Sequence, residues 1–315
     1  MTRAYVGRRL LLAVPTLLGL SFLTFLLGSL SGDPAERIAA RGLLPGEEPT
    51  TEQVQAVRHE LGFDRPVLTR YAEWLQDAAT GDFGQSLLAP FEVGDELRKA
   101  IPQTAALAVA AVALLVVLAL PLGVIGAMYH RRWPDHVIRV VALAGASVPG
   151  FFLAYLLVYV FSVRLHLLPV AGAEGLRSLV LPAVVLALGP AALVSRLLRS
   201  SLLEVLGEPY VVAARAKGLA AVPTVVRHAL GNAAIPVLTV VGTVFARLLE
   251  GAVVAEIVFA RPGIGSLTFN AVAAADYPMV QGAVLFSGVV FVLVNLLVDV
   301  SYALIDPQVR LGAPA

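Results

Sequence analysis

A chain of 315 residues that is 58% hydrophobic and 14% charged, with mean hydropathy +0.83, carries more apolar side chain than a single water-soluble core can hide. Its net charge of +1 lacks the basic excess that polyanion binding requires, and five histidines with no cysteine exclude disulfides and argue against a bound metal. A bilayer absorbs such a surplus, so the chain is read as an all-α, polytopic membrane protein.

Six stretches are long and apolar enough to cross the hydrocarbon, which takes about 20 residues of helix. The first is 10–30. Its flank of Arg3, Arg8 and Arg9 looks like the start of a signal peptide, but the apolar run is too long and Gly32-Asp33-Pro34 is no cleavage site, so it is expected to stay as an anchor. The others are 104–129, 137–163, 179–198, 235–258 and 280–305. Pro149 and Gly150 are expected to bend the third run, and Pro182, Gly189 and Pro190 to interrupt the fourth.

Short basic segments fall on one side: Arg3, Arg8 and Arg9; Arg131, Arg132 and Arg139; Arg196, Arg199, Arg215, Lys217 and Arg227; then Arg310. The positive-inside rule therefore places both termini in the cytoplasm. Residues 31–100, where Asp and Glu outnumber Lys and Arg, then form an extracytoplasmic subdomain, with helical spacing over 51–61 and 67–78 and a cap at Thr50 or Thr51. The expected organisation is 1–30 as the first span, 31–100 outside, and 101–310 as the membrane core, with a cytoplasmic loop at 199–232.

That loop is the informative one. Pro209 suits a first helical turn, Tyr210 to Lys217 make a short helix with small residues at Ala213, Ala214 and Ala216, and Gly218 suits a left-handed exit. A second short helix is expected over 222–230. Small residues let another backbone approach closely, while Arg215 and Lys217 supply charge, so the pair is fit to seat in a groove of a partner protein.

At these residues the sequence resembles the membrane subunits of binding-protein-dependent ATP-binding-cassette (ABC) importers, in their dipeptide, oligopeptide and nickel branch. The branch phrase Tyr-x-x-x-Ala-Arg-Ala-Lys-Gly-Leu followed by Arg-His-x-Leu-x-Asn is met by Tyr210, Ala214 to Leu219, Arg227, His228, Leu230 and Asn232. In the family's general coupling motif Ala213, Ala214, Gly218 and Leu230 match, whereas Val212 replaces a glutamate and Gly231 a proline. Further branch phrases are Leu61-Gly62-Phe63-Asp64-Arg65-Pro66, Gly81-Asp82-Phe83-Gly84, Ser147-Val148-Pro149, Arg261-Pro262-Gly263-Ile264-Gly265, Asp276-Tyr277-Pro278 and Asp306-Pro307.

The resemblance implies a permease that forms the pathway for dipeptides, oligopeptides or similar solutes and is not itself an enzyme. It implies no cofactor in this chain, with ATP and magnesium held by two cytoplasmic ATPase subunits; no phosphate-binding loop occurs in the sequence. It also implies a second, similar permease forming a heterodimer, an extracytoplasmic solute-binding protein, and a prokaryotic cytoplasmic membrane. Carried over residue by residue, ATPase coupling falls to Tyr210, Ala213, Ala214, Arg215, Lys217 and Gly218, and the outer gate to Pro262, Gly263 and Gly265. From the residues alone, Arg247 and Glu250 share one face of the fifth run as a pathway or structural pair. Glu256 and Asp299 are expected near the two surfaces, solvated. The alternatives are import of nickel or another non-peptide solute, and an ion-coupled secondary transporter, which would show an inverted repeat not found here.

Overall fold

The computed structural model describes residues 3–30, 34–40, 47–60, 62–87 and 91–305; side chains at 3–6, 8, 34, 37, 239, 242, 243, 246, 247, 249, 250 and 298–305 are not described. Thirteen helices follow one another among the described residues. They are α1 (Arg3–Leu30), α2 (Pro34–Ala39), α3 (Thr51–Glu60), α4 (Val67–Thr80), α5 (Val93–Met128), α6 (Trp133–Ser147), α7 (Gly150–Leu157), α8 (Arg177–Val205), α9 (Pro209–Ala216), α10 (Ala221–Thr224), α11 (Leu230–Val258), α12 (Ile264–Ala274) and α13 (Tyr277–Ile305). Four are long and apolar enough to cross a membrane, or five with the bent pair α6–α7 counted as one. The remaining expected run, 235–258, lies within the continuous helix α11, several of whose side chains are not described.

The third run does not cross straight. The α6 segment and the segment from Gly150 to Arg164 meet at 102°. Val148 and Pro149 are extended, with ψ of 126° and 134°, because proline offers no N–H and pushes the residue before it out of the helical region. After α7 the chain widens into a π-turn over Val158–Arg164 that ends on a Leu165 N–H to Val160 carbonyl bond of 3.0 Å. In α8 the expected interruption is absent: Pro182 and Pro190 lie inside one unbroken helix. Tertiary packing holds it, since α8 is the hub of its unit and Pro182 is itself buried.

The chain divides into two compact units, one from Gln103–Pro262 with the stretch from 294 onward, the other from Thr2–Pro102 with Gly263–Leu293. In the first, α8 packs against α6, α7 and α11. Its inward stripe of Ala183, Ala187 and Ala191 recurs every four residues, and small side chains allow the close helix approach that dispersion packing in a bilayer needs. Leu198 lies so near α5 that a Cβ on Gly123 would come within 2.9 Å of its Cδ2.

In the second unit, Val93, Leu97, Ala271, Met279 and Ala283 form the core. Thr50 caps α3 reciprocally with Gln53: Gln53 N–H donates to Thr50 Oγ1 at 3.3 Å and Thr50 N–H to Gln53 Oε1 at 2.9 Å. Helix α4 lies on α1 rather than standing apart in water. Tyr71 Oη sits 2.8 Å from Ser21 Oγ and donates to the Leu18 carbonyl, and its ring meets Phe22 and Phe25 edge-on. Buried Asp276 accepts from Ser86 Oγ and from the Leu87 N–H at 3.0 Å, tying the 84–87 loop to the start of α13.

Candidate functional site

The expected coupling segment folds as a short helix on a tight mount. Beyond α8, Glu208 is extended and its carbonyl accepts from the Val211 and Val212 N–H groups, with Pro209 in the first turn, where a missing donor costs nothing. The exit is a complete left-handed cap: Gly218, at φ +88°, donates to the Arg215 carbonyl at 2.9 Å, and Leu219 donates to the Ala214 carbonyl at 3.4 Å. Val211 is the helix's one fully buried residue. Asn232 Nδ2 donates to Tyr210 Oη at 2.6 Å, which joins the start of α9 to the first turn of α11.

Everything else on α9 is turned outward. Tyr210 is 44% exposed, Val212, Ala213, Arg215, Ala216, Lys217 and Gly218 are exposed, and Ala214 is half-buried. Of the six residues read as a coupling set from the sequence, five are exposed and Ala214 is half-buried. The second short helix does not stand alone: α10 passes through a π-turn at Val225–Ala229 straight into α11. Thr224 is buried there, with its Oγ1 on the Ala220 carbonyl at 2.9 Å. The chain thus runs from α9 through α10 and the π-turn directly into α11.

Near the other end of the mount lies a charged cluster that the sequence reading missed. Arg199, near the end of α8, grips Asp135 with two donors, Nε at 2.6 Å and Nη2 at 2.8 Å. The Arg131 N–H adds a third bond at 3.0 Å, and Arg139 Nε stands 3.6 Å away. Asp135 is fully buried, and these donors together with the nearby Arg139 charge compensate its carboxylate. The available signal was its isolation, as the one acidic residue in a basic turn.

The opposite end of the same unit holds a second polar knot. Glu256, expected near the surface, is 1% exposed and accepts from Thr104 Oγ1 at 2.6 Å. The helix face it occupies is turned toward α5, which removes it from water. Arg261 is buried and donates through Nη2 to Gln103 Oε1 at 3.2 Å and through Nη1 to the Gly172 carbonyl and Ser178 Oγ, each at 3.2 Å. Burial lowers its pKa, and Glu256 opposes that shift. Of the expected gate residues, Pro262 is exposed and Gly263 and Gly265 are buried, with Ser266 Oγ accepting from the Gly263 N–H at 3.0 Å. The side chains of Arg247 and Glu250 lie outside the described residues, as do that of Asp299 and the segment with Asp306 and Pro307.

Two family descriptions match: "Binding-prot-dependent transport system membrane comp, N-term" over residues 1–108 and "Binding-protein-dependent transport system inner membrane component" over 119–311. The chain is 39% identical over 307 residues to the glutathione transport system permease protein GsiC of Escherichia coli (strain K12), covering 97% of this chain and 98% of that one. The GsiC protein of Shigella dysenteriae serotype 1 (strain Sd197) gives the same figures. Among solved structures, inward-facing MetNI methionine ABC transporter crystals match with TM-scores of 0.56 and 0.57 at 19% and 18% identity, covering 67% of this chain and 96% of theirs. That likeness is one of fold.

Proposed function

Because the chain belongs to the family of binding-protein-dependent transport system inner membrane components, and so is the membrane permease of an ABC importer, we propose that it moves short peptides of the glutathione class inward and takes its power stroke through α9. The solute reading rests on the 39% identity to the GsiC permeases along nearly the whole chain. The coupling reading rests on one observation, the outward small-residue surface of α9 held by Val211, the Tyr210–Asn232 bond and the Gly218 turn.

In this reading Tyr210, Ala213, Ala214, Arg215, Lys217 and Gly218 seat in a cleft of one of two cytoplasmic ATPase subunits, which bind ATP and magnesium. An extracytoplasmic receptor delivers the solute, and a second, different permease completes the pathway. Both termini lie in the cytoplasm. ATPase closure pushes α9; the π-turn carries the push into α11, and the Asp135–Arg199 pair keeps the end of α8 from yielding. Arg247 and Glu250 line the pathway, and Pro262, Gly263 and Gly265 belong to the outer gate.

The test is a mild-detergent pull-down of the tagged chain from its native membrane, alongside uptake of labelled glutathione. Wild type brings down an ATPase, whereas Gly218→Asp and Arg215→Glu lose it and lose uptake. Retention of the ATPase by both variants would overturn the coupling surface. Uptake of neither glutathione nor a dipeptide by the intact complex would overturn the solute.

A further inference from the structure

We propose that the groove between α6 and α8 is a binding site for an anionic phospholipid, with the phosphate held by Arg139 and Arg196 and an acyl chain laid along the small residues below them.

The groove encloses about 330 Å³, within the range of small-ligand clefts. Its walls come from two matched stripes. Arg139, Ala142 and Ala146 lie at helical spacing along one face of α6, and Gly189, Leu193 and Arg196 do so along α8. Each stripe therefore carries a guanidinium at one end and small or apolar side chains at the other, the polarity of a phospholipid. The floor is open: a Cβ built on Gly189 meets nothing within 4 Å.

Charge selects the occupant. The nearby carboxylate, Asp135, is already gripped by both donors of Arg199. Arg139 turns one amino group to His136 Nδ1 at 2.7 Å and stands 3.6 Å from Asp135, a partial neutralisation at most. Arg196 is exposed and meets no acceptor among the described residues. Two arginines at the mouth of an apolar groove, beside a helix whose Val140 and Leu143 are more than 60% exposed, call for an amphiphile with a negative head. Basic pockets between spanning helices on the cytoplasmic side recognise anionic headgroups by this combination. Only the orientation proposed above is needed, whatever solute the importer carries.

The experiment uses the whole importer complex, delipidated in mild detergent and followed by thermal unfolding. Phosphatidylglycerol should raise the melting temperature by several degrees, while phosphatidylethanolamine with the same acyl chains and inorganic phosphate should not. Arg196→Gln removes the headgroup contact and Gly189→Leu fills the groove, and each should abolish the shift. Equal shifts with both lipids would reduce the arginines to ordinary interfacial anchors and overturn the proposal. So would a shift by inorganic phosphate alone, protection by a short peptide in place of the lipid, or loss of a second permease from the Gly189→Leu complex. The wild-type comparison of the two lipids decides the matter even if neither variant folds.

Discussion

Asp135→Asn removes one negative charge from a buried carboxylate that accepts three hydrogen bonds. The neutral amide keeps the shape but gives up two charge-assisted bonds from Arg199, Nε at 2.6 Å and Nη2 at 2.8 Å, each worth about 1.5–3 kcal/mol. A fully buried pair broken on one side costs about 3–5 kcal/mol, and the Arg199 side chain, 15% exposed, keeps some water, so the lower end of that range is the right one here. The assay is thermal unfolding of the purified complex from pH 6 to 8, wild type against Asp135→Asn, with ATPase activity measured in parallel. The variant complex should melt several degrees lower by a constant gap, and the ATPase activity of the whole complex should respond less to solute. A variant that melts with wild type at pH 7 would refute the reasoning.

Three further outcomes are expected. Arg261→Lys keeps the charge but cannot reach Gln103 and the Gly172–Ser178 edge together, so thermal unfolding should show a loss of about 2 kcal/mol; an unchanged melt would deny the fork its role. Gly123→Val forces a side chain against buried Leu198 and should cost about 1–3 kcal/mol by the same measurement, with part of the loss recovered when Leu198→Ala is added; no recovery would place the strain elsewhere. Glu250→Gln should lower uptake while the assembled complex is recovered in full, and equal loss of assembly would make Arg247 and Glu250 a structural pair instead.

Much of the architecture could be read from the chain because its signals are local. A run of about 20 apolar residues has few fates other than a spanning helix, and Pro149 bends a helix through the atoms of its own ring. The α9 unit was legible for the same reason, with Pro209 at its start and Gly218 at its exit acting through backbone geometry within ten residues. Where the reading failed, distant partners decided. Pro182 and Pro190 carry a breaking signal, yet α8 runs through both because three other helices pack on it. The widening at Val225–Ala229, which fuses an expected separate helix to α11, has no composition signal at all.

The burial of ionisable groups divides the two sources of information most clearly. By itself the sequence determined that the chain lives in a membrane, which end of each span is basic, and that a small-residue helix lies between the fourth and fifth runs, since each follows from composition or spacing within one segment. Only the tertiary structure decided that Asp135 belongs to Arg199, 64 residues away, that Glu256 meets Thr104 across 152, and that Arg261 joins Gln103, Gly172 and Ser178. A charge in a low-dielectric interior is tolerable only beside its partner, and which partner arrives is set by how whole helices pack, a property that no window of sequence contains.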